Sequence, residues 1–94
     1  MRAVELAVYA DALAGEAASL SARAERARSR IRQAAIEKRA RSELTSIAIE
    51  RLEALGLIGL IDEPAARAEL RELEAALDAL EELQSWVEGE LSAA

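Results

Sequence analysis

Cysteine, histidine and phenylalanine are absent from this sequence of 94 residues, and proline, tryptophan and tyrosine occur once each. Without cysteine the chain can form no disulfide bond, and without cysteine or histidine it lacks the usual zinc ligands and any Cys- or His-based catalytic group. We therefore expect no cofactor, no metal site and no catalytic residue, that is, a protein that is not an enzyme.

Long apolar segments are also missing. The longest covers residues 55–61 and includes two glycines, whereas a membrane-spanning helix needs about 20 apolar residues. The N-terminal segment contains Glu5 and Asp11 and has no apolar stretch typical of a signal peptide. We expect one domain, residues 1–94, located in the cytoplasm and without membrane contact.

Alanine, with 23 residues, and leucine, with 14, dominate the composition. Both favour helices, and no segment alternates apolar and polar side chains as a β-strand does. The sequence therefore predicts an all-α fold. Because a core of alanine and leucine buries little apolar area per residue, we expect the chain to complete its core as a homo-oligomer, with a dimer favoured.

Two segments carry apolar residues at alternating steps of four and three, the spacing of a heptad seam. One predicts a helix over residues 3–41 and the other a helix over residues 63–91. A shorter helix is predicted over residues 43–55 with Ser42 as a candidate N-cap, and its continuity with the first helix is left open. We expect a long helical hairpin or three-helix chain that assembles into a homodimeric antiparallel helical bundle.

An apolar turn, residues 56–62, separates the second and third helices. Gly56 suits the position after a helix end, where the backbone is often left-handed. Asp62 and Pro64 predict the start of the third helix. Since the turn contains four large aliphatic side chains, we expect it either to tuck under a helix or to lie in a subunit interface.

These features favour protein–protein interaction as the function: an adaptor, assembly factor or small regulatory subunit that acts through self-association. A different, unidentified protein is a further candidate partner. The expected interface combines large apolar residues of both seams and the turn with the single tryptophan: Leu6, Leu13, Leu20, Ile31, Leu57, Ile58, Leu60, Leu70, Leu73, Leu77, Leu80 and Trp86.

Charge is distributed unevenly, with a net charge of +4 over residues 1–41 and −10 over residues 42–94. The acidic residues beside the apolar seam of the third helix are therefore expected to pair with arginines beside the seam of the first helix, within one chain or across a dimer axis. The residues expected to do so are Arg23, Arg28 and Arg30 on one side and Glu69, Glu74, Glu81, Glu88 and Glu90 on the other.

The Arg-rich segment 23–41 offers an alternative function, nucleic-acid binding, in which Arg23, Arg26 and Arg30 neutralise phosphates. No aromatic residue is interleaved with these arginines to stack on bases. An isoelectric point near 4.7 also opposes attraction to a polyanion. A solvated or salt-bridged helix face is therefore the favoured interpretation of this segment.

Two pairs of glutamates at helical spacing supply a remote enzymatic alternative. Glu50 with Glu53, and Glu69 with Glu72, provide oxygen ligands of the kind that bind Mg²⁺. The pattern resembles the all-α nucleoside triphosphate pyrophosphohydrolases of the MazG type, and that resemblance implies Mg²⁺-dependent release of pyrophosphate. In that family the second pair is Glu-x-x-Asp, whereas Glu72 stands here in place of the aspartate.

A helical hairpin of this length also resembles the small secreted WXG-type proteins. Trp86 and Glu90 echo their C-terminal aromatic-x-x-x-acid signal, with tryptophan in place of tyrosine. The Trp-x-Gly turn of that family is missing from residues 56–62. Neither resemblance identifies the chain as a member of the family concerned.

Overall fold

The computed structural model describes residues 2–93, which form three helices, α1 (Ala3–Glu43), α2 (Ser46–Ala54) and α3 (Glu63–Ala93). No strand occurs in this range, so the prediction of an all-α fold is confirmed. The two long helices pack against each other in antiparallel directions, and α2 lies in the connection between them. The result is a rod of 67 × 18 × 15 Å with a radius of gyration of 20.6 Å, against about 12 Å for a compact domain of this length.

The first helix ends at Glu43 and does not continue into α2, because Leu44 and Thr45 have extended backbones. Thr45 is the N-cap of α2, since its Oγ1 accepts a hydrogen bond of 3.2 Å from the backbone N–H of Ala48. The prediction of a cap at Ser42 is wrong. Ser42 lies inside α1, where its hydroxyl donates to the carbonyl of Arg39 at 2.6 Å and is not available to cap a following helix.

The other helix ends follow the sequence signals. Gly56 has a φ of 70°, and its N–H donates to the carbonyl of Glu53 at 3.0 Å. The N–H of Leu57 donates to the carbonyl of Leu52 at 3.0 Å, which completes a Schellman motif at the end of α2. At the start of α3, Oδ1 of Asp62 accepts the N–H of Ala65 at 3.0 Å, as expected for a capping aspartate.

The core is the seam between α1 and α3, and it is thin. Only seven side chains in residues 2–93 are fully buried apolar groups, and three of them are alanines. The remaining seam positions are half-buried, because a two-helix layer covers each seam side chain from one direction only. The buried residues are Leu6, Leu13, Ala24 and Ala27 of α1 and Ala66, Leu73 and Val87 of α3.

None of the helices in residues 2–93 combines the length and the apolar character that crossing a bilayer requires.

Candidate interaction surface

The residues expected to form an interface fall into two groups. Those of the first group pack in the hairpin seam: Leu6, Leu13 and Leu73 are buried, and Leu20, Ile31, Leu70, Leu77 and Leu80 are half-buried. Those of the second group lie outside this seam. Leu57, Ile58 and Leu60 are in the turn at the closed end of the rod, where the chain passes from α2 to α3, and Trp86 is near the open end, where the chain begins and α3 ends. Leu57, Leu60 and Trp86 are exposed, and Ile58 is half-buried. Only the second group lies outside the hairpin's own core.

Two of the four aliphatic side chains of the apolar turn are left exposed in residues 2–93. Leu57 is 63% exposed and Leu60 is 76% exposed, so the expectation that the turn tucks under a helix is wrong for these two residues. The physical reason is that α2, with nine residues and no buried side chain, packs too little against the hairpin to cover the turn. The exposure of these residues does not test the other expectation, that the turn lies in a subunit interface.

The apolar face of α2 is a surface whose exposure the sequence did not reveal. Leu44, Ile47 and Leu55 are all exposed, although their helical spacing is that of a core-facing helix. Leu44 and Ile47 line an open groove of about 420 Å³ together with Leu52 and Arg51. The spacing of these residues in the sequence does not indicate whether the chain itself covers them.

The Arg-rich segment of α1 is largely neutralised by neighbouring carboxylates. NH1 of Arg30 lies 3.3 Å from Oε2 of Glu69 on α3, and NH1 of Arg41 lies 2.9 Å from Oε1 of Glu53 on α2. Among the proposed phosphate-binding residues, Arg23 and Arg26 form no ion pair within residues 2–93, whereas Arg30 does. The expected salt-bridged face is present in part.

Glu25 is the most strongly paired carboxylate of this segment. Its Oε1 accepts a hydrogen bond of 2.8 Å from NH2 of Arg32, and its Oε2 lies 3.6 Å from NH1 of Arg28. The hydrogen bond and charge of Arg32, with a smaller contribution from Arg28, lower the pKa of Glu25 below its ordinary value. Since the side chains of Glu25 and Arg32 are both exposed, the effect of their pairing on stability is small.

In the part of the chain that the structure describes, residues 2–93, the expected pairing between the flanks of α1 and α3 occurs at one position. Arg30 contacts Glu69, but Arg28 contacts Glu25 of its own helix instead of α3. The register accounts for the glutamates between residues 81 and 90, because a hairpin that places residue 30 beside residue 69 places residues 9–18 beside residues 81–90. No arginine or lysine occurs in residues 9–18, so the acidic end of α3 has no basic partner there.

The two Glu-x-x-Glu pairs do not converge on a metal site. Glu53 is held by Arg41 and Glu69 by Arg30, which leaves both carboxylates neutralised by guanidinium groups. Within residues 2–93, no group of three or more acidic side chains lies in an arrangement that could hold a metal ion.

Residues 2–93 thus form a thin hairpin with exposed apolar side chains at both ends and with an acidic open end whose carboxylates form no ion pair within this range. Comparison of the chain with family models, with curated proteins and with solved structures found no match in any of the three.

Proposed function

We propose that the protein is a small, non-enzymatic protein–protein interaction module that acts through self-association of its amphipathic helices, in the role of an adaptor, assembly factor or regulatory subunit. Its assembled form is a homodimer in which two hairpins make an antiparallel, coiled-coil-like helical bundle. The cytoplasm is the proposed location, and fractionation of cells that express the tagged chain tests it.

The observation that carries this proposal is the number of large apolar side chains left in contact with water. Ten of them are exposed in residues 2–93, more than the four leucine and valine side chains that the hairpin buries. Single exposed apolar side chains are ordinary on protein surfaces, but contiguous ones mark contact sites. Here Leu55, Leu57 and Leu60 follow one another closely at the closed end of the rod.

The surface area supports the same conclusion. One chain exposes 6878 Å², whereas a compact monomer of 10.1 kDa is expected to expose about 5,300 Å². The excess, about 1,600 Å² for each chain, is twice what each partner contributes to an interface of standard size. A second copy can therefore cover a normal interface area without any further folding of the chain.

Co-purification of an untagged chain with a tagged chain tests self-association. A His-tagged chain and an untagged chain are mixed, incubated and passed over a metal-affinity resin. We expect the untagged chain to be retained in proportion to the tagged one. Recovery of the tagged chain alone, under conditions in which circular dichroism shows folded protein, would contradict the proposal.

A second function, nucleic-acid binding, is supported by one observation: Arg23 and Arg26 are exposed and form no ion pair within residues 2–93. If these residues bind phosphates, a fluorescent oligonucleotide will show a salt-dependent rise in anisotropy that Arg23→Gln with Arg26→Gln removes. Unchanged anisotropy at low salt would exclude this function and leave self-association.

A further inference from the structure

One face of the hairpin is defined by the ion pair between Arg30 and Glu69, and we call it the Arg30 face. Helical steps of seven continue this face along both helices. On α1 they lead from Arg30 back to Tyr9, and on α3 from Glu69 forward to Leu83. Both helices therefore contribute residues to this face.

Apolar side chains lie at both ends of the Arg30 face. At the closed end, Leu60 and Ile61 line a groove of about 400 Å³ together with Arg30, Gln33 and Glu69. At the open end the face carries half-buried Leu83, with Trp86 one helical turn further along α3, and Trp86 is 52% exposed. Within residues 2–93, Leu60 at one end and Trp86 at the other are left exposed.

The distance between the two apolar ends follows from the helix rise. In the register of the Arg30–Glu69 pair, Leu83 lies at the level of Glu16, whereas Leu60 lies beside Gln33. Seventeen residues of α1 separate the two levels, or about 26 Å at 1.5 Å per residue. A second copy turned end for end about the midpoint, near residue 24, brings Leu60 of each copy onto Leu83 and Trp86 of the other.

The distribution of net charge along the rod favours the same orientation of the two copies. The open half of the rod, residues 2–22 and 76–93, has one basic and eight acidic side chains and a net charge of −7. The closed half, residues 23–75, has eleven basic and ten acidic side chains and a net charge of +1. Copies that run in the same direction bring together two open halves, each with a charge of −7. Copies that run in opposite directions pair each open half, with a charge of −7, with a closed half, with a charge of +1.

We infer that a second copy of this chain packs on the Arg30 face in the opposite direction, so that the turn of each copy covers the Leu83–Trp86 region of the other. This inference depends on the proposed antiparallel self-association and adds the face on which it occurs and the residues that it covers. It also supplies what the single chain lacks: the acidic end of α3 approaches the Arg-rich part of α1, across the dimer axis and not within the hairpin.

The absence of cysteine from the chain allows a direct test with spin labels on single introduced cysteines. Ala75→Cys lies near the predicted axis, and Ser92→Cys lies near the open end; both positions are exposed. For opposite directions we expect a distance between the two copies below about 30 Å at residue 75 and of about 50 Å at residue 92, from the helix rise. Copies running in the same direction give short distances at both positions.

The outcomes separate the two claims. Short and long distances at residues 75 and 92, respectively, support the inference. Short distances at both overturn the inference and leave self-association intact. No distance between copies at either position, with the light-scattering mass of one chain, overturns self-association and the inference with it.

Two matched substitutions test the face. Leu60→Asp places a charge on the Arg30 face, and we expect it to raise the dissociation constant about 100-fold or more, because each dimer contains two copies of the residue. Ile36→Asp is the control, since Ile36 is 69% exposed and lies about 120° around α1 from Arg30. Both residues are exposed in the single chain, so both variants keep the hairpin, which circular dichroism verifies. Equal weakening by the two substitutions, or weakening by Ile36→Asp alone, would overturn the assignment of the face.

Discussion

Leu73 offers the most direct test of the seam between α1 and α3. Its side chain is 4% exposed and lies near Ala24 and Ala27 in the register of the Arg30–Glu69 pair. Leu73→Ala replaces a buried isobutyl group with a methyl group and leaves a cavity. The neighbouring alanine side chains are too short to fill it. We therefore expect the free energy of unfolding to fall by about 3 kcal/mol, within the range for buried leucines.

The control is Ile36→Ala, because Ile36 is 69% exposed, lies off the Arg30 face and loses a side chain of the same size. We expect it to lower the free energy of unfolding by less than about 0.5 kcal/mol. Urea unfolding followed by far-UV circular dichroism measures both variants at one protein concentration, since association contributes to apparent stability. For a chain of this length Leu73→Ala corresponds to a loss of about 12–24 °C in Tm. A loss below about 1 kcal/mol for Leu73→Ala, or one matched by Ile36→Ala, would refute the seam.

Three further predictions concern local features. Thr45→Ala removes the N-cap of α2 and should cost about 1 kcal/mol, seen as faster amide hydrogen exchange in α2; unchanged exchange would contradict the cap. Gly56→Ala should destabilise the chain by about 1 kcal/mol, because φ is 70° at Gly56. Gly15→Ala should stabilise it by up to about 1 kcal/mol, because Gly15 lies in a helix with no atom near the new methyl group. Urea unfolding measures both changes, and a change of the same sign for both variants would contradict these assignments. NMR titration should show a lowered pKa for Glu25, and this pKa should rise towards the ordinary value in Arg32→Gln. The ion pair contributes its small stabilisation above the ordinary pKa, and this contribution is lost as the pH falls through the lowered pKa of Glu25. An equal pKa of Glu25 in both forms would contradict the pairing.

The long helices and most of their ends could be predicted from the sequence because each depends on local signals. The four-and-three spacing of leucine and alanine set the two seams. Gly56 and Asp62 marked helix ends through conformations and hydrogen bonds that involve only a few neighbouring residues. The break between α1 and α2 was harder, since Ser42 and Thr45 are both good capping residues and only the backbone at Leu44 decides between them.

The interaction surface depends on information that is not local. Whether Arg28 pairs with α3 or with Glu25 is set by the register of the two helices, which no spacing within one helix determines. Whether Leu57 and Leu60 are covered depends on where α2 lies, and α2 leaves them exposed. The sequence could therefore predict which residues are apolar and which are charged, but not which of them the hairpin leaves without a partner.

Sedimentation equilibrium between about 1 and 100 µM protein tests the central claim, that a second copy completes this molecule. We predict a molar mass of about 20 kDa, twice the 10.1 kDa of one chain, in the upper part of that range. A folded species of 10.1 kDa at every concentration would contradict the claim, because it would show that the hairpin is stable with its apolar side chains in water.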